Sequence, residues 1–439
     1  MILGITLGES YGVHPGAWRM PGADPSAYTN VDVQVRSARA AERGGLDFAF
    51  FPDRVFLHGD LSTAPPMFSM EPLLVLTAVA RETSRIGLVP SVSTSFNEPY
   101  ALARQLRALD VISHGRAGWN AIPSYEAEAF ANYGRPVPQG NQKYERLHEV
   151  IQITQALWDS WGREAGRPDP QAGRFADMAH IKPVNLQGRH VAARGPIQIP
   201  QSEQGQPVIF MPVASSRGLQ ALGMYANGII AMPMTMEESR QQREIVHASA
   251  IQAGRSADDI RFVPFIGFGL GATKREALDR RRALEDRTDP VPRLARLSTM
   301  LGVGLDLARS DEPLTATQID ALRPHRAVPP SAKAAALARE GWSPRDIIAH
   351  GVLDANPGLV GTPEEAADLL QQWFEAGVCD GFNIVPDDQQ DSIDDFVDQV
   401  VPILRRRGLR PADYRGVTLR DHLGLPEQLG VDLRLSASA

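Results

Sequence analysis

Eight short apolar runs of strand length, mostly separated by longer segments with helical periodicity, constrain the fold of this chain most strongly. The apolar runs cover residues 2–7, 48–51, 86–92, 117–122, 208–213, 228–232, 262–270 and 381–385. The helical segments cover residues 31–43, 72–82, 102–112, 144–160, 217–226, 236–253 and 363–375. Continuous apolar strands followed by helices indicate a parallel sheet that is buried on both faces. Eight such units favour an α/β fold of the closed (β/α)8, TIM-type barrel class over an open sheet.

Two segments interrupt this alternation and are predicted as insertions after the fourth and seventh strands. Residues 161–206 mix Gly, Pro, Arg and Asp, which is typical of an excursion with a small hairpin. Residues 276–356 are helix-prone, and an insertion there would lie at the barrel mouth, where lids lie. The simplest organisation is one barrel domain over residues 1–439, with a lid at about 276–356 and a C-terminal extension at about 391–439.

Composition narrows the range of partners. The 439 residues are 43% hydrophobic and 22% charged, which is enough for a large core, and the net charge is -7. That charge disfavours nucleic acid, which requires a concentrated basic surface. The single cysteine, Cys379, rules out an internal disulfide and fits a reducing compartment. No signal peptide or apolar run of membrane length is visible, so we expect a cytoplasmic protein without a membrane partner.

Polar residues follow several of the predicted strands, and the loops after parallel strands converge on one face of a barrel. Asp53 closes the second strand, Ser93 to Ser95 close the third, Asn120 and Ser124 close the fourth, and Ser215 closes the fifth. Each of them could simply cap the helix that follows, which for a single Ser or Asp is the more common role. Their recurrence at successive strand ends instead favours one shared site.

An anion site and a histidine extend this candidate site. Ser215 precedes a predicted helix, whose free N–H groups can bind an anion, and Tyr144 and Lys143 could reach the same anion. His14 lies in the loop after the first strand, where it could transfer a proton or orient a substrate, or simply bind backbone. Histidine spacing for a metal and a phosphate-binding loop are both absent, and the glycines of residues 267–271 fall within a strand end, where they indicate little.

Many blocks of the chain, in one order, resemble the bacterial luciferase-like flavin monooxygenases. The resemblance is greatest to the branch with nitrilotriacetate, dibenzothiophene sulfone, dimethyl sulfide and long-chain alkane monooxygenases. The matching blocks are residues 14–19, 51–54, 94–100, 115–120, 156–161, 195–202, 205–209, 361–364, 376–377, 380–383, 394–397 and 418–423. They run nearly from end to end of the chain.

The resemblance implies a two-component monooxygenase. Reduced FMN would come from a separate NAD(P)H-dependent flavin reductase, and one oxygen atom of O2 would enter a small, largely apolar substrate at sulfur, nitrogen or carbon. By position, Asp53, Thr94 or Ser95, and Asn120 would line the isoalloxazine, while Tyr144 and Ser215 would hold the phosphate. His14 would be the catalytic proton donor or substrate orienter, and the family suggests homodimers or homotetramers.

Three departures from the family pattern surround the implied cofactor. Val213 replaces a glycine before the fifth helix, Gly140 replaces a histidine before Tyr144, and Pro123 removes a hydroxyl and an N–H near the flavin edge. They suggest altered or weaker FMN binding. Two alternatives therefore stay open: a flavin-binding paralogue with decayed catalysis, and a deazaflavin-dependent oxidoreductase on the same barrel.

Overall fold

A computed structural model describes residues 1–166, 168–213 and 218–428 and contains a closed barrel of eight parallel strands. The strands are β1 Ile2–Thr6, β2 Phe48–Phe51, β3 Gly87–Ser93, β4 Gly118–Ile122, β5 Val208–Pro212, β6 Gly228–Ala231, β7 Arg261–Leu270 and β8 Gly381–Pro386. Each pairs in parallel with the next, and β8 pairs with β1 to close the ring. The predicted TIM-type barrel is confirmed.

Helices surround the barrel, and within the described residues ten of them have at least seven residues. They are α1 Val31–Arg43, α2 Pro72–Glu82, α3 Pro99–Ile112, α4 Gln142–Trp158, α5 Leu219–Tyr225, α6 Met236–Gln252, α7 Lys274–Glu285, α8 Pro290–Leu301, α9 Pro330–Arg339 and α10 Pro363–Glu375. Proline begins α2, α3 and α10, where its missing N–H costs no intrahelical hydrogen bond. In the described part of the chain no helix combines the length and apolarity needed to cross a membrane.

The remaining helical turns are short. The α-helical ones are Ala127–Asn132, Ala316–Asp320, Pro344–Ile347, Ser392–Asp395, Val401–Arg406 and Leu419–Leu423, and the π-helical ones are Ile348–Val352 and Phe396–Val400. The 3-10 turns are Ala17–Arg19, Ala27–Thr29, Arg163–Ala165, Met178–His180, Ala257–Asp259 and Leu307–Arg309.

Both predicted insertions are present in the structure. The excursion after β4 contains an antiparallel pair, Leu186–Gln187 with Ala192–Ala193. The segment after β7 is helical and forms its own apolar cluster around Leu297, Leu301 and Ile347. One strand was not predicted: Gly358–Gly361 pairs in parallel with the C-terminal half of β7. Its four residues include two glycines, so no apolar run marks it in the sequence.

Side-chain alternation along the strands produces two apolar layers. The outward residues, such as Leu3, Trp119 and Phe382, pack between sheet and helices. The inward residues fill the barrel, where the rings of Phe48 and Phe210 lie 5.2 Å apart. The lower layers of the barrel are therefore a packed core, and ligand sites are expected towards its C-terminal end.

Candidate functional site

The loops after β2, β3, β4 and β5 enclose a cavity of about 330 Å³ at the C-terminal end of the barrel. This volume falls within the roughly 300–1,000 Å³ typical of small-molecule and cofactor sites. The lining residues are Asp53, Arg54, Val55, Phe56, Phe68, Ser93, Ile122, Pro123, Ser124, Tyr125, Glu126, Lys143, Tyr144, Leu147, Met211, Pro212, Val213 and Gly218. Two of the predicted site residues, Asp53 and Tyr144, thus lie at one cavity.

The hydroxyls after β3 and β4 form a hydrogen-bonded brace at the cavity wall. Ser93 Oγ lies 2.9 Å from Ser124 Oγ, and the Ser124 N–H donates to Ser95 Oγ at 3.1 Å. Thr94 Oγ1 donates to the Ile122 carbonyl at 3.1 Å. Ser93 and Ser124 therefore line the cavity, whereas the predicted Thr94 and Ser95 join the two strand ends beside it. Their contact with a flavin stays a prediction.

Asn120 lies below this brace, inside the barrel. Its Nδ2 donates to Ser91 Oγ on the neighbouring strand at 2.8 Å. Its Oδ1 is buried without a hydrogen-bonding partner among the described residues. The side chain is thus fixed by one end and leaves an acceptor directed at the barrel interior.

Asp53 is an acidic residue at the cavity, and its surroundings disfavour its negative charge. Burial, reinforced by the negative charge of Glu71, raises the pKa of Asp53 to about 6. The neighbouring Arg54 does not neutralise it directly, because its guanidinium lies 5.6 Å from the Phe56 ring centroid and contacts Met67 Sδ. Asp53 can therefore exchange a proton near neutral pH.

Another part of the cavity lining is basic and aromatic. The Lys143 ammonium lies 5.0 Å from the centroid of the Tyr144 ring and 5.6 Å from that of Tyr125. No carboxylate of the described residues lies within ion-pair distance of Lys143. The predicted Ser215 falls outside the described residues. Lys143 and Tyr144 are thus two of the described groups at the cavity that could hold an anion.

The three departures from the family pattern have different surroundings. The Val213 N–H donates to the Ile230 carbonyl at 3.2 Å, so this residue continues the pairing of β5 with β6, a conformation that valine favours. Gly140 has a φ of 57°, and a Cβ there would meet nothing within 4 Å. Pro123 lines the cavity directly.

His14 lies away from this cavity, in a contact with the insertion. The Gly16 N–H donates to His14 Nδ1 at 3.1 Å, which assigns the ring proton to Nε2, and Nε2 lies 3.0 Å from Glu285 Oε1. Burial alone would raise the pKa of Glu285, but the hydrogen bond from His14 and the charge of Arg293 lower it to about 2. Both ring nitrogens of His14 are engaged. Its catalytic role stays a prediction.

Sequence reasoning missed the apolar wall of the cavity. Phe56 and Phe68 come from the loop between β2 and α2, and Met211 from the end of β5. Phe68 has a φ of 49°, an uncommon conformation for an aromatic residue. A loop without periodicity gives no signal for which aromatic residue turns inward.

Comparison with known proteins gives consistent matches. A family model described as luciferase-like monooxygenase matches residues 15–380. The N-acetyl-S-(2-succino)cysteine monooxygenase of Bacillus subtilis (strain 168) is 34% identical over 430 residues, with 96% of each chain covered. The nitrilotriacetate monooxygenase component A of Aminobacter aminovorans is 33% identical, with 94% of each chain covered.

A solved structure agrees with the sequence matches. The EDTA monooxygenase of Chelativorans sp. BNC1 is similar with a TM-score of 0.81 and 29% identity, covering 97% of this chain and 99% of that one. The similarity therefore extends over the barrel and both insertions.

Proposed function

Because the chain belongs to the luciferase-like monooxygenase family, we propose that it is a two-component monooxygenase that uses reduced FMN and O2. Its substrate would be a small, largely apolar organic molecule oxygenated at sulfur, nitrogen or carbon. A separate NAD(P)H-dependent flavin reductase would supply the reduced flavin. The name of the relative called component A supports a second component.

The cavity between Asp53 and Lys143 is the observation that supports this proposal most directly. A flavin mononucleotide needs an apolar slot for its ring and a cationic end for its phosphate. Phe56, Phe68 and Met211 supply the apolar wall, and Lys143 lacks an ion-pair partner among the described residues. The residues present therefore fit the cofactor.

The side chains at the cavity would have different roles in binding the cofactor and in catalysis. Lys143 and Tyr144 would hold the phosphate, as would the predicted Ser215, and a charge-assisted hydrogen bond of this kind contributes about 1.5–3 kcal/mol. Asp53 would lie beside the ring, where its raised pKa lets it hold or release a proton. Bound reduced FMN would supply the electrons with which O2 is activated. The apolar wall would exclude water from the reacting atoms.

The contacts of His14 bear on its predicted role as proton donor. Its Nε2 is directed at Glu285 of the insertion, and its Nδ1 accepts from backbone. These contacts favour a positioning role, in which His14 holds the loop after β1 against α7. The proposed homodimer or homotetramer rests on the family resemblance alone.

A turnover assay tests the proposed function. The protein is mixed with FMN, NADH, a flavin reductase and O2, and candidate amines, sulfides, sulfones and alkanes are added in turn. We expect one of them to be oxygenated, with NADH consumed above the rate of the reductase alone. If no candidate raises reduced-flavin consumption above that uncoupled background, the proposal fails.

A further inference from the structure

Four polar side chains face one another across the inside of the barrel, below the rim. Thr6, Ser91, Asn120 and Asn383 come from β1, β3, β4 and β8. Their inward direction follows from strand alternation, because neighbours such as Phe382 and Ile384 pack outward against the helices. The strand register brings Ser91 opposite Asn120. It also puts Asn120 and Asn383 in one layer of four inward side chains, on opposite sides of the barrel.

Most of the polar atoms in this group have no partner. Neither Nδ2 nor Oδ1 of Asn383 has a hydrogen-bonding partner among the described residues, and the same is true of Thr6 Oγ1 and Asn120 Oδ1. The three side chains are 0%, 4% and 5% exposed. Buried polar atoms are nearly always satisfied, by protein, by water or by a ligand. An asparagine with both amide atoms unpartnered is the strongest sign of a ligand in the described barrel interior.

The inner face of β7 is partly exposed above this polar group. Phe265, Gly267 and Gly269 face inward and are partly exposed, whereas the outward residues between them are buried. A Cβ on Gly267 would meet only the Val385 carbonyl oxygen, at 3.6 Å. Phe265 lies opposite Asn383 in the register. The glycines that look like a weak motif in the sequence therefore leave the barrel mouth open above Asn383.

The chemistry of this group selects a neutral ligand. Asn383 offers two donors and an acceptor, Thr6 one of each, and Asn120 an acceptor. The inward positions of these layers carry no Lys or Arg, so a carboxylate would be buried without a cation, at high cost. A carboxamide or an imide, which is uncharged and both donates and accepts, satisfies these atoms without that cost.

We propose that Thr6, Asn120 and Asn383, referred to below as the polar floor, bind a neutral amide- or imide-type group that enters along the glycines of β7. The group has two possible sources, the substrate or the pyrimidine edge of the flavin ring. The inference rests on the proposed function, because both the substrate and the flavin are those of the proposed monooxygenase. If the group belongs to the substrate, it gives the largely apolar molecule proposed above one neutral polar group.

Stability and binding measured together test this proposal. Asn383→Leu keeps the branched shape and heavy-atom count of the side chain and removes the unpartnered polar atoms, so we expect the melting temperature of the ligand-free protein to rise by about 2 °C or more. Asn227→Leu is the matched control, because Asn227 is also buried but its Oδ1 accepts from the Ile209 N–H. The control variant should melt at a lower temperature than the wild type.

Binding identifies the source of the group. Oxidised FMN is titrated by fluorescence, and benzamide and benzoate are titrated into the FMN-loaded protein. A loss of about tenfold or more in FMN affinity in N383L assigns the polar floor to the flavin, and a loss confined to benzamide assigns it to the substrate. Gly267→Val, which fills the access path, should weaken binding of the same ligand without lowering the melting temperature.

Three results would overturn the inference: a fall in the N383L melting temperature like that of the control, unchanged affinities for both FMN and benzamide, or tighter binding of benzoate than of benzamide. Failure of the wild type to bind FMN would instead count against the proposed function. The melting temperatures, together with benzamide titrated into the FMN-free protein, would still decide on the polar floor.

Discussion

Asp53 and Lys143 are two opposite charges at one cavity, and neither is paired with the other. Asp53 is held in a setting that disfavours its charge, and Lys143 lies between two tyrosine rings. Proteins retain such costs chiefly at functional sites. Each charge therefore gives a prediction that separates stability from binding.

Asp53→Asn should stabilise the protein at pH 7.5. The folded pKa of Asp53 is about 6, above its usual 3.8, so stability is lost as pH rises from about 4 to about 6, and the cost is fully present above that range. Because asparagine carries no charge, the free energy of unfolding of the variant should exceed that of the wild type by about 1–2 kcal/mol at pH 7.5. This gain should vanish near pH 4. Urea unfolding at several pH values measures it.

Asp60→Asn, in the same loop, is the control for this measurement. Hydrogen bonds from Ser62 lower the pKa of Asp60, so the change should reduce stability at neutral pH. A D53N gain that persists unchanged at pH 4 would contradict the assigned protonation of Asp53.

Lys143→Met should weaken FMN binding by about tenfold or more and leave riboflavin binding unchanged. The reason is that riboflavin lacks the phosphate that the ammonium would neutralise. Fluorescence titration measures both affinities, and Lys182→Met, an exposed lysine of the excursion after β4, is the control. Equal losses for both ligands would show that Lys143 does not act through the phosphate.

For single residues, the sequence predicts the region of the candidate site better than it predicts which side chains line the cavity. The cavity is lined by Asp53, Ser93, Ser124 and Tyr144, while Thr94 and Ser95 brace the strand ends beside it. In a run of consecutive hydroxyls the residue that turns inward depends on where the strand ends, and composition does not encode this.

Among the secondary-structure elements, the contact of helix α7 with the loop after β1 has the clearest consequence. Glu285 ends α7 and joins His14 to Arg293, and Arg281, one turn earlier, pairs with Asp387 after β8. These buried pairs hold the insertion against the barrel mouth. The side chains involved are at most 17% exposed, so solvent screens them little.

Glu285→Ala should destabilise the protein by about 3 kcal/mol, because it leaves the Arg293 charge and the His14 proton without their acceptor. Hydrogen exchange should also speed up in residues 9–20. Glu82→Ala is the control, since the Arg39–Glu82 pair is exposed and contributes about 1 kcal/mol or less. If the two variants lose equal stability, the contact does not anchor the insertion.

The sequence predicts most elements because a repeated apolar strand and an amphipathic helix are local signals. Helices α1, α2 and α10 match their predicted bounds, and all eight barrel strands were identified. The short strand Gly358–Gly361 was not predicted, because it forms only through the edge that β7 offers it. Likewise, nothing local in residues 276–285 signals that Glu285 meets His14.

Over the whole molecule, the closed barrel fixes where chemistry can occur. The inward residues close the bottom and middle with aromatic packing, so the cavity beside Asp53 and the access path along β7 both open at the C-terminal rim. The eightfold alternation predicted this barrel from sequence. The ligand arrangement was not predictable, because it depends on side chains from strands that are far apart in the chain.

Anaerobic titration of the wild-type protein with reduced FMN, and separately with oxidised FMN, tests the central claim most directly. Saturable binding of reduced FMN at one molecule per chain, in the micromolar range or tighter, is the result expected of a monooxygenase that receives its flavin from a reductase. Failure of both forms to bind would contradict the account and indicate a barrel that has lost its cofactor.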